Sequence, residues 1–165
     1  MAGWVVAWKL FCAWTPKFCN GWRLLWLGVF GAHIEGRPFV DSSARIRLPW
    51  NLTLRDRACL GELSNAYSLG RIEIGERSTI AQEAYLCTGT HDFDHPDLPL
   101  QTAPITIGRD VFIGARAFIL PGVTIGDRVI VGACSVVTHD LPSNTICAGH
   151  PCKVIRPRAA APPLT

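Results

Sequence analysis

The chain has 165 residues, 48% of them hydrophobic and 18% charged, which suits one domain with a modest accessory segment. A net charge of +3, scattered along the sequence, is too weak for the clustered basic face of a nucleic-acid binder. The seven cysteines include no C-x-x-C pair, so a disulfide framework or zinc module gives way to the reduced thiols of a cytosolic protein.

Residues 1–36 read as an aromatic helical segment. Trp4, Trp8 and Phe11 follow an i, i+4, i+7 pattern, as do Trp22, Trp26 and Val29, while Thr15–Pro16 separates the two runs. Asn20–Gly21 lies near the start of the second helix, and Gly31 to Gly36 reads as a loop. Lys9 interrupts the first apolar run and no small-residue cleavage site follows, unlike a signal peptide. Neither run is long enough to span a bilayer. Two roles fit: a cap on the end of the following domain or packing on a neighbouring subunit, and peripheral contact with a membrane. Lys9, Lys17 and Arg23 are sparse for an interfacial anchor, which favours the first role.

Residues 37–158 carry a repeat of six. Val40 and Ile46, then Leu54 and Leu60, then Ile74, Ile80 and Leu86 keep one phase each, and Ile107, Ile113, Ile119, Ile125, Val131 and Val137 keep it without a break. Gly follows the aliphatic residue at Gly61, Gly75, Gly108, Gly114, Gly126 and Gly132. Register breaks fall near Pro49, around Ser64 to Leu69, and at Gly89 to Thr102. A period of six matches neither the 3.6 of a helix nor simple strand alternation. It predicts short strands and tight turns coiling into a solenoid, each inward aliphatic stacked on the next, with Gly easing the turn. A β-sandwich would show wider and less even turn spacing.

The longest break, residues 88–103, concentrates titratable groups: His91, Asp92, Asp94, His95 and Asp97. An irregular excursion from a rigid scaffold is a natural site for chemistry, and an imidazole suits a general base near neutral pH. His95, before Pro96, reads as a solvated loop residue. Residues 159–165 read as a flexible tail.

The run ITIGRDVFIGARAFILPGVTIG from Ile105 to Gly126 resembles the hexapeptide-repeat acetyltransferases, and AGHPCKVIR from Ala148 to Arg156 resembles their closing signature. PWNLT (49–53), AYLCTGTHD (84–92) and QTAPITIG (101–108) resemble most the colanic-acid and exopolysaccharide branch. The resemblance spans about residues 36–156. It implies an all-β, left-handed parallel β-helix, acting as a cytoplasmic homotrimer with sites between subunits. It also implies acetyl transfer from acetyl-CoA, as co-substrate and without a metal, to a hydroxyl of a sugar or polysaccharide precursor.

Residue by residue, His91 takes the position of the catalytic base. Ala115 and Ala133 match positions along the pantetheine arm of coenzyme A, and Thr138 a position near its amides. Lys153 and Arg156 match basic residues near the nucleotide phosphates, where directed cationic donors bind well. Ser68 stands where the family often has an acceptor-facing Asn or Asp, and Asp92 is the second acceptor candidate. His139 and His150 depart from the family pattern. The alternatives are transfer to a sugar-nucleotide amine or to serine, and a non-catalytic scaffold. A carbonic anhydrase on the same solenoid would hold zinc with coil histidines, and Ile107 to Val137 contains none.

Overall fold

A computed structural model describes residues 2–159. Short strands stack in three flat faces of a parallel β-helix. The first face holds His33–Ile34, Leu52–Leu54, Ile72–Ile74, Ile105–Ile107 and Thr124–Ile125. The second begins with Phe39–Val40, Cys59–Leu60, Thr79–Ile80, Phe112–Ile113 and Ile130–Val131, and ends in an antiparallel pair, Thr145–Gly149 and Cys152–Pro157. The third holds Arg45–Ile46, Asn65–Tyr67, Tyr85–Cys87, Phe118–Ile119 and Val136–Val137.

The period-six aliphatics form the core, and the register stacks them directly. Ile34, Leu54, Ile74, Ile107 and Ile125 make one ladder. Val40, Leu60, Ile80, Ile113, Val131 and Cys147 make the second, and Ile46, Ala66, Leu86, Ile119 and Val137 the third. The residue two places earlier is also buried, as at Ile105, Val111, Ala117, Val123, Val129 and Ser135. Each coil therefore shields its neighbours, so stability builds along the stack. Ile34 opens the first ladder, which places the start of the solenoid inside the segment expected to precede it.

The glycines of the repeat do something other than relax the turn. Left-handed backbone falls two residues later, on side-chain-bearing residues: Arg77, Asp110 and Arg128 at one corner, Glu83, Arg116 and Cys134 at the next, with φ between 55° and 59°. Gly114 instead lies so close to the coil above that an added Cβ would sit 2.5 Å from the Ala133 nitrogen. Glycine is needed there for approach between coils. Exposed ion pairs bridge successive corners, Arg77 to Asp110 at 2.7 and 2.9 Å and Arg116 to Glu83 at 2.9 and 3.1 Å. The Arg77 guanidinium holds the Asp110 carboxyl below its ordinary range.

At the open end of the first coil lie two helices, α1 (Ala2–Phe11) and α2 (Asn20–Val29), joined through a 3-10 turn at Lys17–Cys19. Trp4 is buried and its indole N–H donates to the Ile46 carbonyl at 2.8 Å. The deepest contact is Arg23, which is 0% exposed and packs 5.9 Å from the Phe39 ring centroid. Its guanidinium donates to the carbonyls of Val40, Thr15, Pro16 and Lys17 and to the Thr15 hydroxyl. On the second helix Arg23 and Leu27 are the buried residues, while Trp26 stacks on Phe11 at 4.8 Å between the helices. Residues 160–165, most of the expected tail, lie outside the described residues.

Candidate active site

The excursion at 88–103 leaves the solenoid at the corner between the third and first faces. It folds as an antiparallel hairpin, Gly89–His91 against Leu100–Thr102, with His91 opposite Leu100. Its base is pinned by Thr88, whose buried hydroxyl donates to the Tyr67 carbonyl at 2.6 Å and accepts the Gly70 N–H at 2.8 Å. Tyr67 and Leu69 close on Gly89 so tightly that an added Cβ there would meet their side chains at 3.3 and 2.9 Å.

His91 ends the first strand of this hairpin and is exposed. Its Nδ1 lies 2.6 Å from the Leu98 carbonyl oxygen. A carbonyl can only accept, so Nδ1 carries the proton and neutral His91 presents an unprotonated Nε2. Leu98 reaches this position with φ of 45°, in a turn closed by its own N–H donating to the His95 carbonyl at 3.0 Å. His95 accepts the Asp97 N–H at 3.2 Å, so its ring serves the same turn. Asp92 is half-buried, and its Oδ1 accepts the Asp94 N–H at 3.1 Å.

Ser68 is not placed for an acceptor. It is fully buried, and its hydroxyl accepts the Leu48 N–H and donates to the Leu48 carbonyl, both at 2.9 Å. Its only proton is spent tying the first two coils together, so the expectation that it faces a sugar is corrected. Ser68 and Thr88 both follow an inward ladder residue by two places, where a small hydroxyl can reach the adjacent coil.

The residues expected to meet coenzyme A are spread over several edges, and Thr138 alone shares the hairpin's edge. Ala115 and Ala133 stack at the corner between the second and third faces, where the Cys134 N–H donates to the Ala115 carbonyl at 2.9 Å. Thr138 follows the last strand of the third face, with its hydroxyl 2.7 Å from His139 Nδ1. Lys153 and Arg156 lie on the last strand, opposite Ala148 and Ile146. Three residues apart, they would face opposite ways in a regular strand. A bulge between Ile146 and Cys147 shifts the register and returns both to the outer side, and no carboxylate pairs with either among the described residues. Two exposed, unpaired cations on one side fit a phosphate-bearing group.

A groove of about 590 Å³ runs between α1 and the third face, lined by Trp8, Lys9, Arg45, Arg47, Tyr67 and Tyr85, among others. Tyr67 also borders the hairpin, so groove and hairpin adjoin. Burial pushes the Tyr85 phenol above its ordinary range, leaving it a neutral hydrogen-bonding group.

The family model described as bacterial transferase hexapeptide (six repeats) matches residues 104–139. The chain is 43% identical over 155 residues to the colanic acid biosynthesis acetyltransferase WcaF, so named, of Escherichia coli (strain K12), covering 94% of this chain and 85% of that protein. It belongs to the hexapeptide-repeat acetyltransferases. Its winding is accordingly the left-handed parallel β-helix of that family. Among solved structures, galactoside acetyltransferase in complex with coenzyme A superposes with a TM-score of 0.86 at 28% identity, over 94% of this chain and 79% of that one. A maltose O-acetyltransferase from Clostridium difficile 630 superposes at 0.82, also 28% identical, over 96% of this chain and 86% of that one.

Proposed function

We propose that this protein transfers an acetyl group from acetyl-CoA to a hydroxyl of a sugar or polysaccharide precursor, with His91 as general base. The observation that carries the assignment is the 2.6 Å contact of His91 Nδ1 with the Leu98 carbonyl, which leaves Nε2 free at the edge of a projecting hairpin. His91 Nε2 takes the proton of the sugar hydroxyl as its oxygen attacks the thioester carbonyl. The tetrahedral intermediate collapses with loss of the coenzyme A sulfur, which recovers the proton from His91. Base and acid are thus one imidazole, and the Leu98 carbonyl stabilises the imidazolium between the two transfers. The second carboxylate oxygen of Asp92 is available to accept from an acceptor hydroxyl. Relatives named as acetyltransferases of galactosides, maltose and colanic acid biosynthesis support a sugar acceptor.

Ala115, Ala133 and Thr138 are assigned to the pantetheine arm, and Lys153 and Arg156 to the nucleotide phosphates. On one chain His91 and the Ala115–Ala133 edge are separated by the width of the third face. A cyclic homotrimer, with its sites between subunits, would bring one chain's hairpin to its neighbour's edge. Two kinds of apolar surface suit such packing: the third face carries the outward stack Tyr85 on Phe118 at 4.8 Å, and the hairpin exposes Phe93, Leu98 and Leu100. The first face, with Thr53, Glu73, Thr106 and Thr124 outward, suits solvent. All seven cysteines are free thiols, in keeping with a cytoplasmic location.

The test is the purified protein with acetyl-CoA against free sugars, nucleotide sugars and lipid-linked sugars. Coenzyme A release coupled to O-acetylation is expected; transfer to amines alone, or to no acceptor, would overturn the proposal. Light scattering should give a trimer at micromolar concentration, and an active monomer would reject the shared site.

A further inference from the structure

The helical cap has two apolar sides, and only one of them is used. Trp4, Ala7, Cys12 and Leu27 are buried on the inner side. On the other side Val6, Leu10, Trp14, Phe18, Trp22, Leu25 and Val29 stay exposed, with Phe18 at 88% and Trp14 at 72%. The Trp22 indole N–H joins the two helices across this surface, donating to the Phe11 carbonyl at 2.9 Å, while that of Trp14 turns back on its own helix to the Leu10 carbonyl at 2.7 Å. Their ring N–H groups are satisfied by backbone, so the rings offer apolar surface at little polar cost. A soluble surface rarely gathers so many large apolar side chains without a partner.

We propose that the outer side of this cap docks on an anionic lipid bilayer, its helices lying in the plane of the headgroups. Charge selects this occupant. The first acidic residue of the chain is Glu35, so the cap carries no carboxylate, while Lys9 and Lys17 are exposed beside the apolar residues. A second copy seated face to face would bring lysines against lysines with nothing to neutralise them, whereas an anionic headgroup layer supplies the missing charge. Tryptophan and phenylalanine are residues that the membrane–water boundary accepts readily. No helix among the described residues is long and apolar enough to cross a membrane, so contact is lateral. Arg23 clamps the cap to the first coil, which makes the presentation rigid. Cyclic symmetry would carry every cap to the same side of an assembly, multiplying a weak contact. The inference does not depend on the acetyl-transfer reading, and the groove lined by Trp8 and Lys9 would lie beside the membrane.

The experiment is co-sedimentation of the full-length protein with vesicles of phosphatidylcholine, with or without phosphatidylglycerol. Binding is expected to the phosphatidylglycerol vesicles and to weaken in high salt. Two variants, Leu10→Ser with Phe18→Ser and Lys9→Glu with Lys17→Glu, should each lower the partition by about tenfold or more, with helix content and light-scattering mass unchanged. Wild-type protein left in the supernatant, equal binding to both vesicle types, or variants that bind like wild type would overturn the proposal. So would a fall in oligomeric mass in the Leu10→Ser, Phe18→Ser variant, which would make the surface a subunit contact.

Discussion

His91 and Leu98 face one another across the turn of the hairpin, imidazole Nδ1 to carbonyl oxygen at 2.6 Å. The contact fixes one tautomer and one ring orientation, and it uses a backbone atom that side-chain substitution cannot remove. The turn that supplies it, from His95 to Leu98, therefore sets the His91 ring although its own side chains are exposed.

Replacing His91 with Ala should lower turnover by about a hundredfold or more, the range for loss of a general base. Acetyl-CoA binding, followed by calorimetry, should remain close to wild type. A variant with near-normal turnover would remove His91 from the mechanism.

Lys153 and Arg156 share one side of the terminal strand only because of the bulge beside Cys147. If they hold the nucleotide phosphates, changing both to Ala should raise KM for acetyl-CoA by about tenfold or more and affect kcat less, because the adenosine end does not change during acyl transfer. The defect should shrink with acetyl-pantetheine as donor. An equal loss with both donors would place these residues in support of the fold.

Arg23 is a buried cation held by neutral acceptors. Arg23→Ala would strand several carbonyls and open space under Phe39, costing about 3 kcal/mol or more. A fall in Tm of about 10 °C is expected by calorimetry. The carbonyls lie on both the cap and the first coil, so limited proteolysis should cut between Thr15 and Phe30 sooner in the variant. An unchanged Tm would show that the aromatic contacts alone hold the cap.

Thiol labelling should separate the cysteines by position. Cys12 is buried, with burial pushing its thiol up to about 11, and Cys147 is buried in the second ladder. Cys134 stands exposed at a corner. Maleimide should modify Cys134 first and reach Cys12 and Cys147 only with unfolding, as intact-mass spectrometry would show. Early modification of Cys12 would mean that the cap opens in solution.

The period of six made most of the solenoid legible, because every rung from Ile107 to Val137 is aliphatic and evenly spaced. It was silent at Ile34, isolated before the first break, and at Ala66, where a methyl fills a rung that is elsewhere a branched chain. Glycine in the sequence suits a turn, yet its use here is approach between coils, which depends on the neighbouring coil. Ser68 went astray because a hydroxyl suits an acceptor and a neighbouring carbonyl equally well. Leu98 left no mark at all, since it acts through its backbone. The bulge that aligns Lys153 with Arg156 is likewise a matter of pairing register.

Stacked residues lie 20 positions apart where Ser68 meets Leu48, 33 where Asp110 meets Arg77, and 18 where Asp127 meets Arg109. The differences all arise along one edge of the prism, between the third and first faces. Lengthening a loop there costs little, about 0.6 kcal/mol per doubling, and leaves the ladders in register. The edge between the second and third faces has no such freedom, because Gly114 lies against the backbone of the next coil. The molecule thus has one edge on which insertions are cheap and another on which successive coils close on one another, at Gly114 too tightly for a methyl. Insertions along the first edge can therefore reshape the loops beside the hairpin while the ladders and the second edge stay as they are.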